Sequence, residues 1–406
     1  MSKRTYLIIL AIILIVAIDV IGYVLFFQNR GKEIAEPASE NPLSFPQAPN
    51  REINGINETP LISPNNETNE TEDSNEIMPA TDTFNQNPQT PTAISLGALK
   101  ISGETKVFLI DDNQGNLFKF KADDDTWQRL TNSTITRIGE VYWGAVKNTL
   151  QLVIRRSVDD FAENSLAVAD LELSGEEPAS FAMDALSDNL TAFAVSPSAE
   201  RIFYLNARQG GVDGYISDFG FKDKKLVFSS PLSEWLVNWS NDNIIGLQTR
   251  PAANFPGNLF FLNLSNRRFY PVITNINGLT SLISPDGKYT LYSASNNGKI
   301  ETYLKNNETG KVKRFAFDVL PEKCAWSGAT VYCAISKNIV SAAYPDDWYK
   351  GLISFNDSEI WEIDSRSEAS TLIAETNGDL INLVVAQDKL LAIDQTTNQV
   401  KIYTLK

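Results

Sequence analysis

A short phrase recurs along this chain at a nearly constant spacing: an apolar strand, a turn that begins near a serine, and a second apolar strand. The clearest copy, residues 284–292, reads Ser-Pro-Asp-Gly-Lys-Tyr-Thr-Leu-Tyr. Serines at the same point of four copies, Ser196, Ser240, Ser284 and Ser327, are separated by 44, 44 and 43 residues. A repeat of this period made of short strands is typical of a β-propeller, in which each repeat forms one four-stranded blade.

The residues around each turn suit this architecture. Pro presets φ, Asp bonds to the local backbone, and Gly accepts a positive φ, so Pro285-Asp286-Gly287 predicts a tight turn. The runs that follow the turns are rich in β-branched and aromatic residues, which fit a buried pleated surface. Three such predicted strands are 106–110, 201–205 and 330–334.

The repeat region predicts an all-β fold with seven blades. It runs from about Ser95 to Lys406, and roughly 310 residues divided by 44 gives seven repeats. Six or eight blades are the alternatives, because the terminal repeats are the least regular. The final strand, Gln399 to Leu405, ends the chain and leaves the last blade with three clear strands. We expect the segment before Ser95 to supply the fourth and close the ring.

The phrase Ser284-Pro285-Asp286-Gly287-Lys288, with the strand after it, resembles the repeat of WD40-like (PD40) propellers. These occur in the TolB family and in the N-terminal propeller of prolyl-oligopeptidase relatives. The resemblance covers the repeat region only and rests on a turn motif, so it implies a fold and says little about chemistry. The Gly-His and Trp-Asp landmarks of true WD40 repeats are absent.

The first residues predict a membrane anchor. Tyr6 to Phe27 is almost wholly apolar, and about 22 residues of helix reach about 33 Å, enough to cross a hydrocarbon core. Lys3 and Arg4 precede the span, which favours a cytoplasmic N-terminus and an exported C-terminus. A cleaved signal peptide is the rival interpretation, but the apolar run is long and no small-x-small cleavage site follows it.

The segment after the span has no apolar periodicity and is dominated by Asn, Pro, Thr, Glu and Ser. Such a composition cannot bury enough surface to offset the entropy of ordering, so it predicts a disordered tether. The expected domain organisation is a cytoplasmic stub at 1–5, a transmembrane helix at 6–27, a linker at 28–93 and the propeller at 94–406.

The chain has two cysteines, Cys324 and Cys333, which flank a predicted turn centred on Gly328-Ala329. Directly opposite residues of an antiparallel pair lie within disulfide distance. Export would let the bond persist, so we predict a disulfide, with two buried thiols as the alternative.

The amino-acid composition excludes several kinds of catalytic site and ligand. The chain has no histidine, which removes Ser-His-Asp and Cys-His catalysis and His-ligated metals. A net charge of −15 argues against a nucleic-acid ligand. Acidic clusters at 123–125, 159–160 and 346–347 are each capable of binding a hard cation, but none has EF-hand spacing, and solvated loops are the simpler interpretation. We therefore assign no metal site and no cofactor.

The predicted second-to-third strand connections are longer than the first-to-second turns. They are 156–164, 207–214, 250–257 and 337–358. Long loops on a rigid scaffold are where binding residues collect. The longest holds the aromatic and charged run that we take as the main candidate recognition patch. The candidate binding residues are Asp346, Asp347, Trp348, Tyr349 and Lys350, with Arg208, Arg250 and Phe255 on the same face.

Tryptophan has two interpretations here. Trp348, with Tyr349, would either contact a partner or fold inward and fasten the loop to its blade. Trp143, Trp239 and Trp326 stand at equivalent points of their repeats and predict packing between blades.

Function is expected to be binding. A rigid scaffold, one loop-rich face and a long tether predict a non-enzymatic, extracytoplasmic module that recognises a protein or a cell-envelope polymer. The alternatives are a solute- or cation-sensing propeller, and a carboxylate-based glycan hydrolase or lyase, which would need two carboxylates about 5 to 9 Å apart.

Overall fold

The computed structural model describes residues 92–157, 164–173, 183–187 and 189–405. Within these ranges the chain forms seven antiparallel sheets in chain order, six of four strands and one of three. Strands pair with their neighbours along the chain, so each sheet is one blade. The predicted all-β, seven-bladed propeller is confirmed.

The first four blades contain sixteen strands. Blade 1 consists of β1 Ser95–Ile101, β2 Glu104–Ile110, β3 Leu117–Lys121 and β4 Thr126–Arg129. Blade 2 consists of β5 Ile138–Val146, β6 Thr149–Ser157, β7 Asn164–Glu172 and β8 Met183–Leu186. Blade 3 consists of β9 Leu190–Val195, β10 Ile202–Arg208, β11 Gly211–Ser217 and β12 Lys225–Ser230. Blade 4 consists of β13 Trp235–Asn241, β14 Ile244–Thr249, β15 Pro256–Asn263 and β16 Arg268–Asn277.

The remaining blades carry the short helices. Blade 5 consists of β17 Thr280–Ile283, β18 Tyr289–Asn296, β19 Lys299–Asn306 and β20 Val312–Arg314. A 3-10 helix, Pro321–Lys323, leads into blade 6, which consists of β21 Cys324–Ser327, β22 Thr330–Ser336, β23 Ser358–Asp364 and β24 Ser370–Glu375. The helix α1 Asp346–Tyr349 lies between β22 and β23. Blade 7 consists of β25 Leu380–Ala386, β26 Lys389–Asp394 and β27 Val400–Thr404.

The predicted transmembrane helix at 6–27 and the linker lie outside the described residues, apart from the last two linker positions. No helix in the described ranges is long and apolar enough to span a membrane.

Blade 7 adjoins blade 1. The backbone N–H of Ala93 donates to the carbonyl of Asn398 at 2.7 Å, and Thr92 forms an antiparallel bridge with Gln399 beside β27. Thr92 is thus placed where a fourth strand would continue, and the residues before it lie outside the described part. Apolar side chains of the two blades share one core cluster, so the ring closes by packing as well as by hydrogen bonds.

Side chains of one blade pack into the backbone of the next. The indole of Trp143 in β5 lies against Gly97 of β1 so closely that a Cβ there would stand 2.4 Å from the ring. Its Nε1 donates to Ser95 Oγ at 2.9 Å, which satisfies the buried N–H. Trp239 is also buried, and Trp326 packs into the core cluster shared by blades 5 and 6. The prediction that these tryptophans pack between blades is confirmed.

The repeated serine organises the tight turns that begin at Ser284 and Ser196. Ser284 Oγ donates to Asp286 Oδ1 at 2.6 Å and accepts the N–H of Tyr289 at 2.9 Å. Gly287 has φ 72°, as the motif requires. The copy at Ser196 keeps the serine bond, from Arg201 N–H at 3.1 Å, and places Ala199 at φ 61°. The serine contact therefore survives where the glycine is replaced.

One predicted loop is wrong. The connection expected over 207–214 is a two-residue turn, because β10 continues to Arg208 and β11 begins at Gly211. Gly210 and Gly211 have φ 78° and 140°, conformations that let the chain reverse at once.

The cysteines form a disulfide. Cys324 lies directly opposite Cys333 in the β21–β22 pair, and Trp326 lies opposite Val331. This is the predicted register.

Replacing both cysteines with alanine should lower the free energy of unfolding by about 2–3 kcal/mol, because the bond closes a short loop of the unfolded chain. Urea denaturation of the full chain measures this loss. Wild type unfolded with a thiol reductant should lose a similar amount. Equal midpoints for wild type and the double variant without reductant would show that the bond contributes no stability.

Candidate functional site

The two faces of the propeller differ in their connections. Because neighbouring strands are antiparallel, first-to-second and third-to-fourth turns share one face, here the turn face. Second-to-third connections and blade-to-blade links share the other, here the loop face. The first-to-second turns at 102–103, 242–243 and 328–329 have two residues each. The loop face carries the longest described connection, residues 337–357, which we call the bridging loop.

The bridging loop reaches across two neighbouring blades. Its Ala342 N–H donates to the carbonyl of Gly298 in blade 5 at 3.0 Å. Farther along, Asp346 Oδ2 accepts the N–H of Ala253 in the 250–255 connection of blade 4 at 2.6 Å. The loop therefore joins blades 4, 5 and 6 on one face.

A small core lies beneath the bridging loop. Trp348 and Tyr344 are each 1% exposed and pack with Phe355, Ile300 and Leu320. Full burial of one large apolar side chain contributes about 1.5–3 kcal/mol, so the cluster holds the loop firmly. Trp348 thus folds inward and fastens the loop to its blade, the second of the two interpretations that the sequence left open.

The carboxylates of Asp346 and Asp347 each accept a hydrogen bond from a backbone N–H. Asp347 Oδ2 accepts the N–H of Ala343 at 2.7 Å, as Asp346 does for Ala253. Hydrogen bonds to a charged group contribute about 1.5–3 kcal/mol. Both side chains therefore position the loop. In the described ranges, which do not include the acidic pair at 159–160, no three Asp, Glu, Cys or His side chains are grouped to hold a metal ion.

Tyr349 points toward the blade 5–6 link. Its hydroxyl donates to Glu322 Oε1, and Thr280 also lies near this carboxyl. Burial raises the pKa of Glu322, although the bond from Tyr349 opposes the shift. Burial, then the nearby Glu322, raises the pKa of Tyr349. This pair is a protonation-sensitive support beneath the loop.

A buried ion pair fixes the other end of the loop. Lys323 and Asp379 side chains are 1% and 2% exposed, and the ammonium donates to Asp379 Oδ1 and, at 2.8 Å, to the carbonyl of Leu380. Asp379 Oδ2 accepts the N–H of Phe355 at 2.8 Å. Burial lowers the pKa of Lys323 despite the carboxylate. Removing one partner of such a pair typically costs about 3–5 kcal/mol, so the loop end is strongly anchored.

A recess of about 380 Å³ opens beside the bridging loop, where blades 4, 5 and 6 meet. We call it the amide recess. No charged side chain lines it. Its polar lining residues are Asn254, Asn277, Ser295, Asn296, Asn297 and Ser341.

A second recess, of about 310 Å³, lies on the turn face between blades 1 and 7. Its lining carries charges of both signs, including Lys119, Lys121 and Asp124. Burial, then repulsion from the lysines at 106 and 121, lowers the pKa of Lys119. The second recess is therefore lined by charged side chains, whereas no charged side chain lines the amide recess.

The other candidate binding residues predicted from the sequence do not all lie close to one another in the fold. Phe255 is 72% exposed, and Arg250 in the same connection pairs with Glu234 at 3.2 Å. That connection touches the bridging loop through Ala253. Lys350 is exposed at the end of α1. Arg208 lies in blade 3 and pairs with Asp213 at 3.0 Å, so no contact joins it to the others.

Sequence reasoning missed the amide recess. Asn254, Asn297 and Ser341 follow one another at 43 and 44 residues, the period of the repeat. They therefore occupy similar points of three successive blades on the loop face. That spacing is a usable signal, although Asn297-Gly298 on its own indicates only a turn.

No family model matches the chain, and no curated protein matches its sequence. Among solved structures, hydrazine synthase of Kuenenia stuttgartiensis is 12% identical with a TM-score of 0.50, over 80% of this chain and 98% of that one. TolB from Acinetobacter baumannii is 12% identical with a TM-score of 0.41, over 77% and 79%.

A puromycin-hydrolyzing peptidase of Mycobacterium tuberculosis is 10% identical with a TM-score of 0.49. The match covers 69% of this chain, which spans only 45% of the peptidase. At such identities the likeness concerns the fold alone. The seven-bladed fold agrees with the resemblance of the repeat to WD40-like, TolB-type propellers, and it leaves activity open because enzymes share it.

Replacing Glu322 with glutamine should change how stability depends on pH. The raised pKa means that the folded protein keeps a proton where the unfolded chain has released it. Stability is therefore highest below the unfolded pKa, about 4.3, and falls as pH rises toward the folded value. The glutamine side chain does not titrate. The difference in stability between Glu322→Gln and wild type should therefore shift in favour of the variant as the pH rises from 4 to 8.

Thermal unfolding of both proteins at each pH measures this difference. A change in midpoint caused by side-chain shape alone would be the same at pH 4 and pH 8. Parallel curves for the two proteins across that range would contradict the assignment.

Proposed function

We propose that this chain is a non-enzymatic binding module whose loop face recognises an extracytoplasmic protein or cell-envelope polymer. In this proposal the apolar segment at 6–27 anchors the chain in a membrane, and the linker at 28–93 holds the propeller away from it. Lys3 and Arg4 support a cytoplasmic N-terminus and an exported propeller.

The observation that carries the proposal is where large apolar side chains are exposed. Four of those in the described residues lie on outer, fourth strands: Leu226, Phe269, Val312 and Leu372. The other four lie on loop-face connections: Leu232, Phe255, Val340 and Leu352. The described part of the turn face has none. Exposed apolar groups on a loop-bearing face supply apolar area that a partner can remove from water.

The anchoring of the bridging loop supports binding at this face. Asp346 and Trp348 hold its middle, and Asp379, which is paired with Lys323, holds its far end at Phe355. A surface that is already ordered loses less conformational entropy when a partner binds. The exposed Val340 and Leu352 belong to this loop, so the apolar groups are presented on a rigid support.

The remaining candidate residues fit a polar surround. Arg250 and Lys350 are charged and solvent-accessible beside the apolar groups, as in the rim of many interfaces. The net charge of −15 favours a partner that is not a nucleic acid. The described residues add no observation that favours the cation-sensing or carboxylate-enzyme alternatives.

Removing two exposed apolar groups from the loop face should weaken binding to the envelope. The full chain in detergent is titrated against the purified polymer fraction and the immobilised protein fraction of its own organism's envelope. Because truncation of an interface anchor commonly costs more than 1 kcal/mol, Phe255→Ser with Leu352→Ser should weaken binding to one fraction by about tenfold or more.

The matched control is Leu226→Ser with Leu372→Ser, which removes exposed apolar groups from the outer strands. It should bind like wild type. Equal loss in both double variants, or no loss in either, would remove the loop face as the recognition surface.

A further inference from the structure

We infer that the amide recess binds a neutral sugar unit of a glycan. This inference rests on the proposed function, since it requires the loop face to be the recognition face.

The lining matches the hydroxyl groups of a sugar. An asparagine amide offers two donors and an acceptor, and a serine hydroxyl both donates and accepts, as sugar hydroxyls do. Within the described residues, the amides of Asn254, Asn277 and Asn297 make no hydrogen bond to another protein group. Asn296 donates to Glu301 at 3.0 Å. Three amides are therefore available to a ligand.

The absence of charge in the lining selects among glycans. No Lys or Arg lines the recess, so a carboxylate or phosphate would lose its water without gaining an ion pair. The net charge of −15 adds repulsion. A neutral sugar loses only water bonds that amides and hydroxyls replace, so the site favours it over a uronic acid.

The walls of the recess are fixed before a ligand arrives. Asp346 holds Ala253 on one side, and Ala342 is bonded to Gly298 on the other. Asn297 and Gly298, at φ 48° and 76°, form the two-residue turn between β18 and β19. Amide groups on such a frame keep their spacing, which direct hydrogen bonding to sugar hydroxyls requires.

Size and neighbours suit part of a polymer. A volume of about 380 Å³ is near the lower end of the range for ligand pockets, about 300–1,000 Å³, so it accommodates a short stretch of sugar. The asparagines of the lining are exposed, which leaves room for the chain to continue. Phe255 follows Asn254 in the same connection, outside the lining of the recess, and is 72% exposed, so its ring is accessible to a sugar unit that extends beyond the recess.

The test titrates the full chain in detergent with β-1,4-linked tetrasaccharides of mannose, glucose and N-acetylglucosamine, and with a mannuronate tetramer. Each mannuronate unit differs from mannose only at C6, where a carboxylate replaces the hydroxymethyl group. We expect at least one neutral tetramer to bind, with at least tenfold lower affinity for the mannuronate. Asn254→Ala with Asn277→Ala should weaken that binding tenfold or more.

Asn148→Ala is the matched control, because Asn148 is an exposed turn-face asparagine, and it should bind like wild type. Asn254→Trp is a second variant that fills the recess and leaves Asn277 in place, and it should also abolish binding. Thermal unfolding checks that each variant is folded.

Failure of all three neutral tetramers to bind overturns the inference. Equal binding by wild type and the double asparagine variant also overturns it, as does tighter binding of the mannuronate. If envelope binding still depends on Phe255 and Leu352, the inference fails alone and the proposed function stands. If that dependence is also missing, both fail.

Discussion

Every blade of this protein has two apolar faces, and both must be buried against neighbouring blades. A four-stranded sheet cannot do this alone, so the ring is the arrangement that satisfies all the blades at once. The packing of Trp143 onto Gly97 shows how close the fit becomes, since a single added Cβ would collide with the ring. Once the sheet faces are buried, the two faces made of turns and loops, and the outer strands, remain exposed for recognition.

The turn face and the loop face differ because the loop face carries the bridging loop, which is much longer than the other described connections. The bridging loop leaves blade 6, crosses blade 5 and meets blade 4, and buried groups fix it along its length. Its aromatic residues supply the small core beneath it. The exposed Val340 and Leu352 belong to this loop, and the amide recess and Phe255 lie where it meets blade 4, so the support of the loop and the candidate site are parts of one structure.

The sequence predicted the parts of the fold that depend on local chemistry. The Pro-Asp-Gly turn and the 44-residue period predicted the blades, and the symmetric placement of Cys324 and Cys333 about a turn predicted their bond. The role of Asp346 was out of reach, because its partner Ala253 is 93 residues away. From the sequence alone, a carboxylate beside aromatic residues that accepts a distant backbone N–H cannot be distinguished from one that binds a ligand.

Asp346 ties blade 6 to blade 4 and so shapes the loop face. Hydrogen–deuterium exchange of the peptide 250–256 in wild type and in Asp346→Ala tests it most directly. A charged hydrogen bond worth about 1.5–3 kcal/mol predicts that the Ala253 amide is protected in wild type and exchanges roughly 10- to 100-fold faster in the variant. Unprotected exchange in wild type, or an unchanged rate in the variant, would contradict the account.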